Sequence, residues 1–247
     1  MNRLIVDNSN TRTKFALLTG DAGLKELRVL QTADVTVESV RNLVRGWEYE
    51  SVHICSVVPL AAQEIAAAFQ GMQVAFLSPQ MPLEVDFSHY EGIATLGADR
   101  VANALAAVQE GAGAVVAVDM GTATTFDVVV QQRGKWHFMG GVIAPGVAAF
   151  ADSLTGRTAL LPVASGDYRG PVIGKTTLQA MSSAVYVGYP AMIDGVLDEI
   201  ERELGQRIHV VLTGGDSGAI APRMRRRCRL EPMLTLKGIA RAFGMRV

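Results

Sequence analysis

The apolar positions fall into two copies of one pattern. Leu4-Ile5-Val6 is an apolar run that ends on Asp7, passes through a small polar turn with two threonines, and resumes as Phe15 to Leu18. Val116-Ala117-Val118 ends on Asp119 in the same way, turns through Gly121, Thr122, Thr124 and Thr125, and resumes as Phe126 to Val130. Each copy reads as strand, tight turn, strand. The two aspartates are separated by close to half of the 247-residue chain, so the pattern predicts an internal duplication. The expected organisation is two similar domains, 1–113 and 114–247, with the last helix packing back on the first.

The stretches between the copies alternate in period. Leu27 to Leu30 predicts a third strand, and Val37, Val40, Leu43 and Val44 have helical spacing that stops at Gly46. Ser51 to Val58 reads as a buried strand closed by Pro59, followed by an alanine-rich helix, Leu60 to Phe69, and a short strand, Val74 to Leu77. Pro79, Pro82, Gly92 and Gly97 punctuate a looser stretch long enough to be a substrate loop. A helix follows from Arg100 to about Glu110, stopped by Gly111 to Gly113. Trp136 to Met139 predicts a strand leading into a glycine-rich turn that ends at Gly146, then a helix over 147–154 and an irregular stretch over 157–168. A helix capped by Thr176 or Thr177 is expected to line Leu178, Met181 and Val185 on one face and to break or kink at Pro190. The next helix turns Ile193, Val196, Leu197, Ile200 and Leu204 inward and ends at Gly205. Ile208 to Leu212 is a last core strand running into Thr213-Gly214-Gly215-Asp216, and Leu236 to Phe243 is a closing amphipathic helix. This order predicts mixed sheets with helices packed on them.

Charge and cysteine content narrow the function class. A net charge of −1 supplies no long-range field for nucleic acid or an anionic membrane, and the Arg223, Arg225, Arg226, Arg227 and Arg229 cluster reads as a solvated basic face. Cys55 and Cys228 have neither metal spacing nor a disulfide framework, which suits reduced thiols in a cytoplasmic protein. No apolar run reaches the roughly 20 residues of a membrane span, and a strand begins almost at once, so no signal peptide is expected.

The chemistry sits at the turns. A carboxylate at the end of an apolar strand beside hydroxyls and glycine suits a metal–phosphate complex, though an Asx-type turn capping a hairpin fits Asp119 equally. Asp99 and Arg100 open a helix, where an acid can simply complement the dipole, or can act as a base beside an anchor for a substrate carboxylate. His89 and Glu91 are either an acid–base pair or a solvated loop edge, and His53 reads as a core histidine. Gly111 to Ala114 precedes a strand and opens no helix, so the dinucleotide fingerprint fails, and no P-loop sequence exists.

Five ordered motifs together resemble the type III pantothenate kinases of the acetate kinase, sugar kinase, Hsp70 and actin superfamily. They are Asp7-x-x-Asn10-Thr11-x-x-Lys14, Gly97-Ala98-Asp99-Arg100, Asp119-x-Gly121-Thr122-Ala123-Thr124-Thr125, Gly140-Gly141-x-Ile143-x-Pro145-Gly146, and Thr213-Gly214-Gly215-Asp216. The resemblance implies an α/β fold of duplicated ribonuclease H-like, actin/Hsp70-type ATPase domains, mixed sheets flanked by helices, that clasp ATP between them. It implies that Asp7, Asn8, Ser9, Asn10, Thr11, Arg12, Thr13 and Lys14 form the first phosphate loop and that Thr122 touches the ATP phosphates. Tyr90, Gly97, Ala98, Asp99, Arg100 and Thr177 would form the pantothenate pocket, with Asp99 as the base, and Asp119 would ligate a monovalent cation, potassium or ammonium. Magnesium with ATP and a homodimer are implied as well. Serine stands at position 9 where the family usually has glycine, so either the turn is strained there or the hydroxyl serves phosphate. A kinase of the same superfamily acting on another small hydroxylated acid or sugar, or a non-catalytic regulator, remains the alternative.

Overall fold

The computed structural model describes residues 2–20, 23–109, 111–155 and 170–246. The chain opens with the strands β1 (Arg3–Asn8), β2 (Arg12–Thr19) and β3 (Gly23–Gln31), paired antiparallel in sequence order. Helix α1 (Val37–Leu43) follows, its first turn closed by a reciprocal pair of Thr36 and Ser39 side-chain hydrogen bonds. Then come β4 (Ser51–Ser56), α2 (Pro59–Ala68) and β5 (Gln73–Phe76), with β4 parallel to β1 and β5 parallel to β4. The sheet order is therefore β3-β2-β1-β4-β5. Leu4, Val6, Phe15, Val52, Ile54 and Ile65 fill the layer between this sheet and its helices.

The remaining elements are β6 (Val85–Asp86), α3 (Ala98–Ala107), β7 (Ala114–Met120), β8 (Ala123–Gln132), β9 (Lys135–Pro145), α4 (Val147–Thr155), α5 (Thr177–Ser183), α6 (Tyr189–Leu204), β10 (His209–Thr213), α7 (Ser217–Ile220), β11 (Arg229–Leu230) and α8 (Leu234–Ala242). Their sheet runs β6-β9-β8-β7-β10-β11. Without the short edge strand β6, its order is third, second, first, fourth, fifth, as in the first sheet. Asp7 pairs with Cys55 of the parallel neighbour β4, and Asp119 with Thr213 of the parallel neighbour β10. The duplication thus extends from the hairpins to the whole strand order of an α/β fold with mixed sheets.

Contacts gather the chain into two compact units. The first comprises Met1–Gln109, Val129–Gly140 and Met233–Val247, and the second Glu110–Val128 and Gly141–Pro232. Helix α8 lies against α3 within the first unit. A Cβ on Gly238 would fall 1.8 Å from the carbonyl oxygen of Ala102, a backbone approach that only glycine permits. Beside it the Thr235 hydroxyl donates to Asn103 Oδ1 at 2.9 Å, both groups buried.

Several elements depart from the sequence pattern. β9 continues as a strand through the stretch expected to be a glycine-rich turn, with Gly140 at φ +105° inside it. The loose loop holds β6, too short to show a period. A π-helical turn over Ala184–Gly188 carries α5 into α6, so the chain stays helical through Pro190, the second residue of α6, with the irregularity just ahead of the proline. Leu178 is exposed, while Met181 and Val185 are buried. The arginine cluster is partly paired: Arg226 binds Asp198 at 2.7 Å and Glu201 at 2.6 Å, and Arg225 reaches Asp198 at 3.2 Å. The stretch 157–168 lies outside the described residues.

Candidate active site

In the first unit, strand pairing sets Asp7 of β1 opposite Lys14 of β2. Asp7 is 1% exposed, and both carboxylate oxygens have a donor: Lys14 Nζ at 3.1 Å on Oδ2 and the Ser9 hydroxyl at 2.8 Å on Oδ1. A buried carboxylate needs such compensation. Ser9 therefore serves the aspartate. The non-glycine residues at positive φ among those described are Glu26 and Arg133, so the turn carries no backbone strain at position 9. Asn8 and Thr13 are buried and joined by a 2.7 Å hydrogen bond, Thr13 meets the Thr32 hydroxyl at 3.0 Å, and the Ser56 hydroxyl donates to Asn8 Oδ1 at 2.6 Å. These two residues shape the turn from beneath, so direct phosphate contact by their side chains is not what their placement favours. Asn10, Thr11 and Arg12 stand exposed at the tip.

The same unit brings Tyr90 and Arg100 against one aromatic ring, Phe138, with Asp99 next to Arg100 in sequence. Gly97 precedes α3 and leaves room for the following acid, since a Cβ there would lie 2.5 Å from Asp99 Oδ1. Asp99 Oδ1 accepts the Arg100 backbone N–H at 2.8 Å. Burial raises the Asp99 carboxyl above its ordinary value, and the Asp7 charge adds to the rise against the Arg100 hydrogen bond. Arg100 is buried, its guanidinium 5.7 Å from the Phe138 ring centroid, and Ala98 is buried beside it. Tyr90 packs edge-on to the same ring at 5.2 Å, and Phe87 lies 5.1 Å from it. Gly140, two residues on, leaves space that Tyr90 fills, its ring 3.5 Å from where a Cβ would sit. Cys55 is buried between the two acids' fields, and burial followed by the Asp7 and Asp99 charges pushes its thiol well up, so it is inert. His89 and Glu91 are exposed and form no acid–base pair; His89 stands instead with His137 and Asp86.

In the second unit, Asp119 sits half-buried at the end of β7, and Thr122 is exposed at the two-residue turn into β8. The Gly146 N–H donates to the Thr122 carbonyl at 3.2 Å, which fixes the turn. Gly214, at φ +91°, lets the end of β10 approach the Met120 backbone, where a Cβ would lie 2.5 Å from the peptide atoms. The glycines at 146 and 214 thus answer a need for close strand packing around Asp119. Sequence reasoning missed Tyr189, fully buried, whose hydroxyl meets Thr124 at 2.7 Å and donates to the Pro145 carbonyl at 3.1 Å. A lone tyrosine before a proline carried no signal of that clamp. Thr177 is the exposed first residue of α5, which Thr176 caps.

A family model described as type III pantothenate kinase matches residues 3–199. The chain belongs to the type III pantothenate kinase family. Family members of that name include one from Akkermansia muciniphila, 40% identical over 99% of both chains. Another, from Methylacidiphilum infernorum, is 35% identical over 96% of this chain and 86% of its own. Among solved structures, a ROK family glucokinase from Streptomyces griseus in complex with glucose and AMPPNP superposes with a TM-score of 0.56 at 13% identity, covering 97% of this chain and 98% of that one. At that identity the likeness speaks to the fold, which the family shares with sugar kinases.

Proposed function

We propose that the protein transfers the γ-phosphoryl group of ATP to the primary hydroxyl of pantothenate, the entry to coenzyme A synthesis. The observation that carries the reading is a half-buried carboxyl held above its ordinary range, Asp99, next in sequence to a buried arginine that packs, as Tyr90 does, against Phe138. The substrate hydroxyl oxygen attacks the γ-phosphorus, the bond from that phosphorus to the bridging oxygen breaks, and ADP leaves. Asp99 takes the hydroxyl proton, a task suited to a carboxyl nearer neutrality than usual. Arg100 pairs with the substrate carboxylate, and Tyr90, Gly97, Ala98 and Thr177 complete the recognition. The turn tip Asn10–Arg12 with Lys14, together with Thr122, supplies donors to phosphate oxygens. Magnesium travelling with ATP would neutralise triphosphate charge, and the hard oxygens of Asp119 fit a potassium or ammonium ion. The active species is a cytoplasmic homodimer.

The test is turnover followed by mass spectrometry with ATP, magnesium and pantothenate, in potassium or in sodium alone. Phosphopantothenate in potassium and much less in sodium is expected; equal product in both salts removes the cation from Asp119. Asp99→Asn is expected to lose at least about 100-fold in kcat with its melting temperature held. Near-normal turnover would take Asp99 out of the base role. Sedimentation of the purified protein at monomer mass would remove the dimer.

A further inference from the structure

The loop that carries Tyr90 also carries a group of side chains with no part in the chemistry above. Asp86 ends β6 and pairs in register with His137 of β9, so the two side chains share one face of the sheet edge. The Tyr90 N–H donates to the Phe87 carbonyl at 3.1 Å, closing a turn that swings His89 back over the same face. One ligand atom from each of Asp86, His89 and His137 lies within 4.8 Å of the others.

We infer that Asp86, His89 and His137 form a binding site for a divalent transition-metal ion of the zinc class. His137 Nδ1 stands 3.6 Å from Asp86 Oδ2, close to the ~3.3 Å edge of a tetrahedron with bonds of about 2.0–2.1 Å. The two imidazole rings are 5.9 Å apart between centroids, so His89, which is exposed, closes the remaining gap by rotating about its own side-chain bonds. Asp86 is already oriented: its Oδ1 accepts the Ser88 N–H at 2.8 Å, leaving Oδ2 toward His137. Two imidazoles and one carboxylate select zinc, cobalt or nickel over magnesium and potassium, which take oxygen ligands. Three protein ligands leave the fourth position to water. This site is therefore separate from the ions that accompany ATP. Its occupancy ties down the Phe87–Tyr90 turn, and on the pantothenate reading above it tightens the Tyr90 side of the pocket.

The experiment is titration of the metal-free, full-length protein with Co²⁺, followed by visible absorption, and with Zn²⁺ against a chromophoric chelator. Both are run without ATP or pantothenate, so the outcome is independent of the kinase reading. One equivalent is expected to bind with a ligand-field spectrum of low coordination number. His89→Ala and His137→Ala are each expected to weaken it by at least about 10-fold. His209→Gln and Cys228→Ser should bind as the parent does. Because His89 is exposed, its variant keeps the parent's melting temperature, and loss of binding there is loss of a ligand. Absence of saturable binding, or equal affinity in the His89 and His137 variants, overturns the site. If the site stands, zinc raises the melting temperature of the parent and leaves that of His89→Ala unchanged.

Discussion

Gly238→Ala is the change whose cost can be worked most directly from the structure. The added methyl would sit 1.8 Å from the Ala102 carbonyl oxygen and 2.4 Å from its carbon, against an ordinary carbon–oxygen contact near 3.3 Å. Helix α8 must therefore retreat from α3 by roughly 1.5 Å. Both helices are enclosed, with Leu236, Ile239 and Ala240 of α8 and Val101, Ala102 and Leu105 of α3 all essentially buried. The 2.9 Å hydrogen bond from Thr235 to Asn103 would open beyond bonding distance. Overpacking costs about 1–3 kcal/mol and the lost buried hydrogen bond about 1–2 kcal/mol. The better helix propensity of alanine returns up to about 1 kcal/mol. The net loss is about 2–4 kcal/mol, or a fall of about 5–15 °C in Tm for a chain of this size. Because α3 presents Asp99 and Arg100 at its start, kcat should fall further than stability explains. Gly195→Ala is the control: it lies inside α6 with open space around its would-be Cβ, so it should hold or raise Tm. Calorimetry and turnover on both variants check the argument. A Gly238→Ala protein as stable as Gly195→Ala would refute the close approach of α8 to α3.

Two further outcomes follow from side chains at the first sheet. Ser9→Ala removes one of the two donors on the buried Asp7 carboxylate and should cost about 1–3 kcal/mol in chemical denaturation; an unchanged midpoint would mean the hydroxyl is dispensable to Asp7. Burial, with the Arg3 charge adding, lowers the His53 imidazole to about 4 from 6.5, so the unfolded chain takes its proton first as pH falls. Stability from this group is complete above about pH 6.5 and declines on the order of 2–3 kcal/mol by pH 4. His53→Asn should lack that part of the slope, and parallel Tm–pH curves for the two proteins would exclude His53 as its source.

The strand–Asp–turn–strand copies were legible because burial on both faces forces long apolar runs, and a charged residue at the end of such a run stands out. Cap chemistry narrowed one helix start to Thr176 or Thr177, of which Thr176 is the cap, and marked Gly205 as a helix end, left-handed at φ +63°. What escaped was structure held by tertiary contact. β6 exists because Val85 and Asp86 hydrogen-bond to β9, which no local period reveals. The glycine-rich stretch after Trp136 reads as a turn by composition, yet neighbouring strands keep it extended. Ser9 looked like a liability because the sequence gives a residue type without its φ or its partner. Pairwise arrangements such as Asp86 with His137 need a register, and register comes from the fold.

Helix α8 follows the whole second unit in sequence, yet it belongs to the compact unit that begins with β1. During synthesis, β1 to α3 emerge early and wait, with the Ala102 backbone and Asn103 of α3 uncovered, while the whole second unit is translated. Domains tend to fold as they emerge, but this one lacks its covering helix until the second unit has been made. The helix that presents Asp99 and Arg100 is locked only when α8 arrives. A nascent chain that stops short of α8 thus carries all five motifs and still lacks the packing that fixes α3.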